Sequence, residues 1–260
     1  FLVNTNQHYI NIMSKVFFNY FKIPKPKYNI KASTKTHGIF FSRAIKEIEK
    51  ILFKEKPDYL IVQGDTNTAL AGCLSASMFN RKFSDPKKKI KIVHIESGLR
   101  AFDQRMPEEV NRILIDELSN ILFPPTDIDV ANLKNEKLIN KKIYKVGNTI
   151  SDVIKLYLPK IRKNKILKRL NLNKKKYFLA TIHRPESVDN IVNLKKILKS
   201  FEKIGKIFKT RFIFSVHPRT QKILNKIHNK KFKYISFFQP LEYLAFMKLM
   251  LDSRIIFTDS

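Results

Sequence analysis

The chain has 260 residues, 43% of them hydrophobic, which is enough apolar material for one large or two medium folded domains and excludes general disorder. No run approaches the roughly 18 apolar residues of a membrane span, and the opening FLVNTNQHYI lacks a basic stretch ahead of an apolar one, so neither a membrane helix nor a secretory leader is expected. The single cysteine, Cys73, excludes an internal disulfide or a cysteine zinc site and fits a reducing, cytoplasmic setting.

The formal charge of +29 invites a nucleic-acid reading. Binders of that kind concentrate charge in a patch, an arm or an aromatic-lined groove. Here lysine is spread over nearly every segment, and NKKKY, DPKKKIK and HNKKFKY read as solvated loops and helix ends. Weak attraction to polyanions follows from such a charge, but no specific nucleic-acid site does.

In chain order, FLVNT reads as a strand met partway, followed by a helix over Tyr9–Phe21 and a loop, IPKPKYNIKASTKTHG. Ile39, Ala44, Ile45, Ile48, Ile51 and Leu52 then recur at helical spacing. A strand is expected over Tyr59–Val62, a helix over Thr66–Phe79 holding Cys73 as a small core residue, and a strand over Ile90–Ile95. A helix starts at Pro107, which suits a first helical position, and Glu108 and Glu109 favour its positive end. Val110, Ile113, Leu114, Leu118, Ile121 and Leu122 are assigned to its core-facing stripe, with Glu108, Asn111 and Arg112 on the polar face. Ala131–Asn140 reads as helical and KIYKV as a short strand before GNT. Past a lysine-rich helical connector come strands over Tyr177–Ile182, Arg211–Val216, Tyr234–Phe238 and Arg254–Thr258, with a helix over Asn190–Lys206.

Strands alternating with helices indicate an α/β protein with mostly parallel sheets. The weakest patterning, from about Ile150 to Lys176, sets the expected boundary between two Rossmann-like domains, 1–155 and 156–260, facing each other across a cleft. Polar residues stand at the strand ends: Asp65 after YLIVQG, Glu96 after IKIVHI, His183 after YFLATI, His217 after FIFSV, and Asp259 and Ser260 after IIFT. Open α/β sheets bind ligands just beyond the carboxyl ends of their strands. Each residue alone also reads as a cap or turn residue; Asp65 with Thr66 would begin a helix well, and Glu108 with Arg112 makes an ordinary i, i+4 ion pair. Together they favour a site.

The motifs TNQHY, KPDYLIVQGDTNT, HIESGLRAFDQRMPEEVNR, VGNTISD, HRPESVDN, SVHPRT and EYLAF with TDS occur in this order along the chain. In them the sequence resembles the non-hydrolysing UDP-N-acetylglucosamine 2-epimerase family over essentially its whole length. The resemblance implies a glycosyltransferase-B-like fold and interconversion of UDP-GlcNAc and UDP-ManNAc. It implies elimination of UDP to a 2-acetamidoglucal and re-addition, without metal or nicotinamide cofactor. It also implies a cytoplasmic homodimer serving polysaccharide synthesis. Asp65, Glu96 and Glu108 match the family's catalytic carboxylates and His183 its functional histidine, expected at the diphosphate. Phe246 and Ser260 match uridine-side positions; His217 and Arg219 are phosphate-side neighbours, and Arg112 is placed on the substrate side. Gln7, Arg43, Arg184 and His217 are candidates for a second, regulatory nucleotide-sugar site, although Ile10 stands where a polar residue is expected.

The sequence also departs from the pattern. The family's first strand and GTRPE-type turn, with the Arg and Lys that bind phosphates, have no counterpart. TDS precedes the family's two glycines and its downstream Glu and Arg, and Leu241 stands where a nucleotide-pocket glutamine is expected. The resemblance therefore implies an internal fragment, lacking the N-terminal strand and part of the C-terminal domain, with weak or no turnover. A same-family epimerase for a diacetamido-glucuronate nucleotide and a GT-B glycosyltransferase are the alternatives.

Overall fold

A computed structural model describes residues 1–7, 18, 21–32, 36–227 and 232–259. The helix expected over Tyr9–Phe21 lies outside the described residues except at Phe18 and Phe21, and so does Ser260. The chain divides into two compact units, Phe1–Asp152 and Val153–Ser260.

In the first unit β1 (Val3–Asn4) pairs in parallel with β2 (Tyr28–Asn29), a two-residue strand inside the expected loop. Next come α1 (His37–Glu55), β3 (Tyr59–Gln63), α2 (Asn67–Asn80), β4 (Lys91–Ile95), α3 (Pro107–Leu118), β5 (Ile121–Phe123), α4 (Asp127–Asn135) and β6 (Lys142–Ile143). Strands β3, β4, β5 and β6 form a parallel sheet in that order. Helix α1 buries Phe40, Ala44, Ile48, Ile51 and Leu52, a stripe at helical spacing, while Ile39 faces out. Thr66 caps α2 by accepting the Ala69 amide at 3.2 Å, and the helix is buried on several sides. Gly72 faces β3, where an added Cβ would make ordinary 3.5 Å contacts with Leu60 and Val62. Cys73 lies fully buried within α2, and that burial pushes its thiol up to about 12.

Helix α5 (Thr149–Lys163) spans the division between the units. The second unit holds α6 (Ile166–Arg169), β7 (Tyr177–Thr181), α7 (Pro185–Val188), α8 (Ile191–Phe208), β8 (Arg211–Ser215), α9 (Pro218–Leu224), β9 (Ile235–Phe238), α10 (Tyr243–Asp252) and β10 (Ile255–Thr258). Its sheet is parallel in the order β10-β7-β8-β9. Both faces are covered, so alternate residues enter different cores. Phe178, Ala180, Phe212 and Phe214 pack with Leu194, Leu198 and Phe201 of α8. Tyr177, Leu179 and Ile213 pack with Ile166 of α6 and Ala245 and Leu249 of α10. The chain runs from β7 through β8 to β9 and then returns to place β10 on the other side of β7. That reversal makes the β7/β10 boundary the switch point of the sheet.

Candidate active site

In the first unit β3 and β4 end side by side, with Gln63 opposite Ile95. Gly64 turns with φ +67 and donates its amide to Ile95 O at 3.0 Å. Glu96 follows β4 with φ +68 and donates its own amide to Phe123 O at 3.2 Å. A non-glycine residue in this left-handed region costs about 1–2 kcal/mol, so the neighbouring bonds must hold it there. The Glu96 carboxylate lies over Gly64, where an added Cβ would stand 3.4 Å from Glu96 Oε2. Asp65 takes Arg112 on one oxygen, from Nε at 2.8 Å and Nη2 at 2.6 Å. Asn111 donates to Asp65 O at 2.8 Å and to Asn67 Oδ1 at 3.0 Å, which fixes the turn below the carboxylate. Glu108, on the first turn of α3, is exposed, and its carboxylate has no hydrogen-bond or ion-pair partner among the described residues.

Helix α3 keeps Leu118 against the core and Glu108 exposed, as expected, but departs from the expected faces elsewhere. Val110, Ile113 and Leu114 are 44%, 36% and 43% exposed, while Glu109, Asn111, Ile115 and Asp116 are buried. Ile121 and Leu122 belong to β5 and not to the helix. Arg112 pairs with Glu109, at 2.8 Å, and with Asp65. The physical reason is that the buried polar groups are satisfied. Glu109 accepts the Ala101 amide at 2.9 and 3.0 Å and the Phe102 amide at 2.8 Å. Burial works to raise the Glu109 carboxyl, but the Ala101 amide, Arg112 and the Phe102 amide outweigh it and hold the group below the usual range. Asp116 meets His94 Nδ1 at 2.6 Å, the Gly98 amide at 3.0 Å and Arg100 Nη2 at 2.8 Å. Arg100 continues to Glu136, with Nε at 2.7 Å. Gly98 has φ +78, and a Cβ there would lie 2.4 Å from Asp129 O. Ser97 Oγ is buried with no hydrogen-bond partner among the described residues. Residues 97–102 are therefore tied down by carboxylates that hydrophobic periodicity does not register. The available sign was that Glu109 and Asp116 lie seven apart, on one helix face.

In the second unit the polar residues gather at the switch point. Asp259, after β10, accepts the His183 amide at 3.1 Å on both oxygens and the Arg184 amide at 2.9 Å. Burial works to raise its carboxyl, but the Arg184 and His183 amides prevail and hold it low. His183 Nδ1 stands 3.5 Å from Asp259 Oδ1, and its ring centroid is 5.5 Å from that of His217. His217 caps α9, its Nδ1 accepting the Arg219 amide at 3.2 Å. Burial first, and then the charges of His183 and Arg219, lower its affinity for a proton. Arg219 makes a two-pronged bond to Asp189 at 2.8 and 2.7 Å. Phe246 of α10 and Leu241 are each half-buried against the apolar cluster of that face. Among the described residues no group of three or more His, Cys, Asp or Glu side chains is arranged to hold a metal ion. None of their helices is long and apolar enough to cross a membrane.

Such an arrangement offers carboxylates at two neighbouring strand ends and, separately, a histidine pair beside exposed cations at a switch point. The first suits proton transfer and the second suits an anionic nucleotide. Comparison with known proteins identifies the family. A UDP-N-acetylglucosamine 2-epimerase from Methanococcus maripaludis is 43% identical over 270 residues, covering 100% of this chain and 70% of that protein. The Methanocaldococcus jannaschii UDP-GlcNAc 2-epimerase, solved in complex with UDP-GlcNAc and UDP, matches with a TM-score of 0.85 and 43% identity, covering 99% of this chain and 70% of that one. A UDP-2,3-diacetamido-2,3-dideoxy-D-glucuronate 2-epimerase from Pseudomonas aeruginosa is 37% identical over 261 residues, covering 100% of this chain and 69% of that protein. The family model for UDP-N-acetylglucosamine 2-epimerase matches residues 1–260, and the chain belongs to that family.

Proposed function

We propose that the protein is a UDP-N-acetylglucosamine 2-epimerase that interconverts UDP-GlcNAc and UDP-ManNAc. The observation that carries this reading is the pair of carboxylates, Asp65 and Glu96, at the adjacent ends of β3 and β4, with Glu96 standing over a glycine. The hydrogen on the sugar C2 is only weakly acidic, because no carbonyl adjoins that carbon. Its removal becomes feasible when UDP departs from C1 as the proton leaves C2, giving 2-acetamidoglucal and UDP. Recombination with the proton delivered to the opposite face completes the inversion.

Acid and base groups are then needed at both faces, and positioned groups of this kind contribute about 10²–10⁴-fold. Asp65, Glu96 and the exposed Glu108 fill those roles as a set of interacting carboxylates. Arg112 acts on the substrate side through its hold on Asp65. His183 receives the diphosphate, with His217 and Arg219 on the same side, and stabilisation of that leaving group is a principal catalytic contribution. Phe246 and Ser260 take the uridine side. A homodimer in the cytoplasm is the expected assembly and location.

The experiment is incubation of the full-length protein with UDP-GlcNAc in D₂O, followed by proton NMR at C2. Deuterium at C2 with UDP-ManNAc appearing is the expected result. Absence of both would refute the substrate assignment, and turnover of the diacetamido-glucuronate nucleotide alone would establish the modified-sugar reading, which the P. aeruginosa relative favours. Transfer to an added acceptor without exchange would instead mark a glycosyltransferase.

A further inference from the structure

We propose that Asp116 is the positioning residue of this site: one buried carboxylate that sets the Asp65 turn and the Glu96 loop against each other. The inference deepens the epimerase reading and rests on it. Asp116 is 0% exposed, so it cannot touch substrate and acts only through what it holds. Its Oδ2 accepts the Gly98 amide at 3.0 Å, two residues beyond Glu96, and meets Arg100 Nη2 at 2.8 Å. Its Oδ1 lies 2.6 Å from His94 Nδ1. The other ring nitrogen of His94 reaches Gly64 O at 3.0 Å. A carbonyl oxygen and a carboxylate oxygen both accept, so the imidazole is the donor on each side. Through the imidazole, Asp116 therefore grips the residue before Asp65; through the Gly98 amide, it grips the loop that carries Glu96.

Both turns contain a left-handed residue: Gly64 at φ +67, which glycine adopts freely, and Glu96 at φ +68, which needs external bonds to stay in place. Arg100 ties the same carboxylate to Glu136, and Lys141 Nζ donates to Asp116 O at 2.9 Å, so the clamp itself is anchored. Proton transfer at both faces of a sugar demands fixed spacing between its acid and base groups. A displacement near 1 Å costs on the order of 100-fold in rate.

The test compares the wild-type full-length protein with D116N and H94Q, measuring kcat and KM for UDP-GlcNAc, thermal unfolding, and hydrogen exchange at the Gly98 amide. For D116N, kcat should fall by about 10–100-fold while KM moves by less than about threefold, the signature of lost geometry in the transition state. Gly98 exchange should quicken by about tenfold or more. H94Q leaves the Gly98 and Arg100 bonds to Asp116 in place, so it should lower kcat with Gly98 exchange unchanged. Should D116N fail to fold, H94Q carries the kinetic test. Wild-type kcat in either folded variant overturns the proposal, as does unchanged Gly98 exchange in D116N. A wild-type protein without epimerase activity defeats the substrate reading instead, and Gly98 exchange then decides the clamp by itself.

Discussion

Glu108 and Glu109 are adjacent in sequence and opposite in environment, and changing each to glutamine separates catalysis from stability. Glu109 is 1% exposed and accepts two backbone amides and one arginine. Glutamine keeps the length but removes the charge and turns an amide NH₂ towards donors. Hydrogen bonds to charged groups contribute about 1.5–3 kcal/mol each, and breaking a buried pair costs about 3–5 kcal/mol. Arg112 retains Asp65, which offsets part of the loss, so about 3 kcal/mol is expected for E109Q. At about 2–4 °C per kcal/mol for a unit of this size, the melting temperature of the first unit falls by roughly 6–12 °C. E108Q, at an exposed position without a described partner, should change stability by less than about 0.5 kcal/mol. If Glu108 transfers a proton, it should lose about 10²–10⁴-fold in kcat. Urea and thermal unfolding by circular dichroism, beside epimerase rates, measure both. The folded Glu109 carboxyl lies below its unfolded value, so its contribution is complete above about pH 4.3 and disappears as pH falls through the folded value. The gap between wild type and E109Q should close over that acid range. Equal destabilisation by the two variants, or an E109Q effect below about 0.5 kcal/mol, would refute the reasoning.

Three further outcomes are expected. Gly98→Ala should destabilise the first unit by on the order of 3 kcal/mol or prevent folding, because its Cβ meets a backbone oxygen at a positive φ; soluble yield and melting temperature check this. Asp259→Asn should weaken UDP binding by roughly tenfold, about 1.4 kcal/mol, by loosening the turn that presents His183; calorimetry with UDP reads it, and unchanged affinity would remove Asp259 from the site. His217 binds its proton less readily folded than unfolded, so its contribution to stability is complete above about pH 6.5 and is lost as pH falls through the folded value. H217N keeps a capping side chain and should flatten the stability profile below about pH 6.5 in urea titrations.

The sequence exposes the strands and their chemistry because apolar runs ending in Asp65, Glu96, His183, His217 or Asp259 carry both signals at once. It also exposes α1, α2 and α8, whose buried faces are apolar. It hides α3, where Glu109, Asn111 and Asp116 share the buried face with Ile115, since periodicity counts apolar residues and has no term for partners. Strand β5 was absorbed into that helix because Ile121 and Leu122 continue its apolar spacing, and only the fold reveals that Ser119 ends the helix. Strand β2 is two residues long and carries no pattern to read. The clamp on residues 97–102 was likewise hidden, because each of its bonds joins residues at least seven positions apart.

A helix bound to its domain by carboxylates and amides responds to temperature differently from one bound by apolar area. Releasing α3 would hydrate Glu109, Asn111 and Asp116 along with Ile115 and Leu118, so its local opening carries a smaller heat-capacity increment than opening α8, whose buried face is apolar. Hydrophobic contacts weaken on cooling, and the polar part of the grip on α3 does not weaken with them. The turn that presents Glu108 therefore keeps its place in the cold, where the phenylalanine-rich core of the second unit begins to lose its advantage.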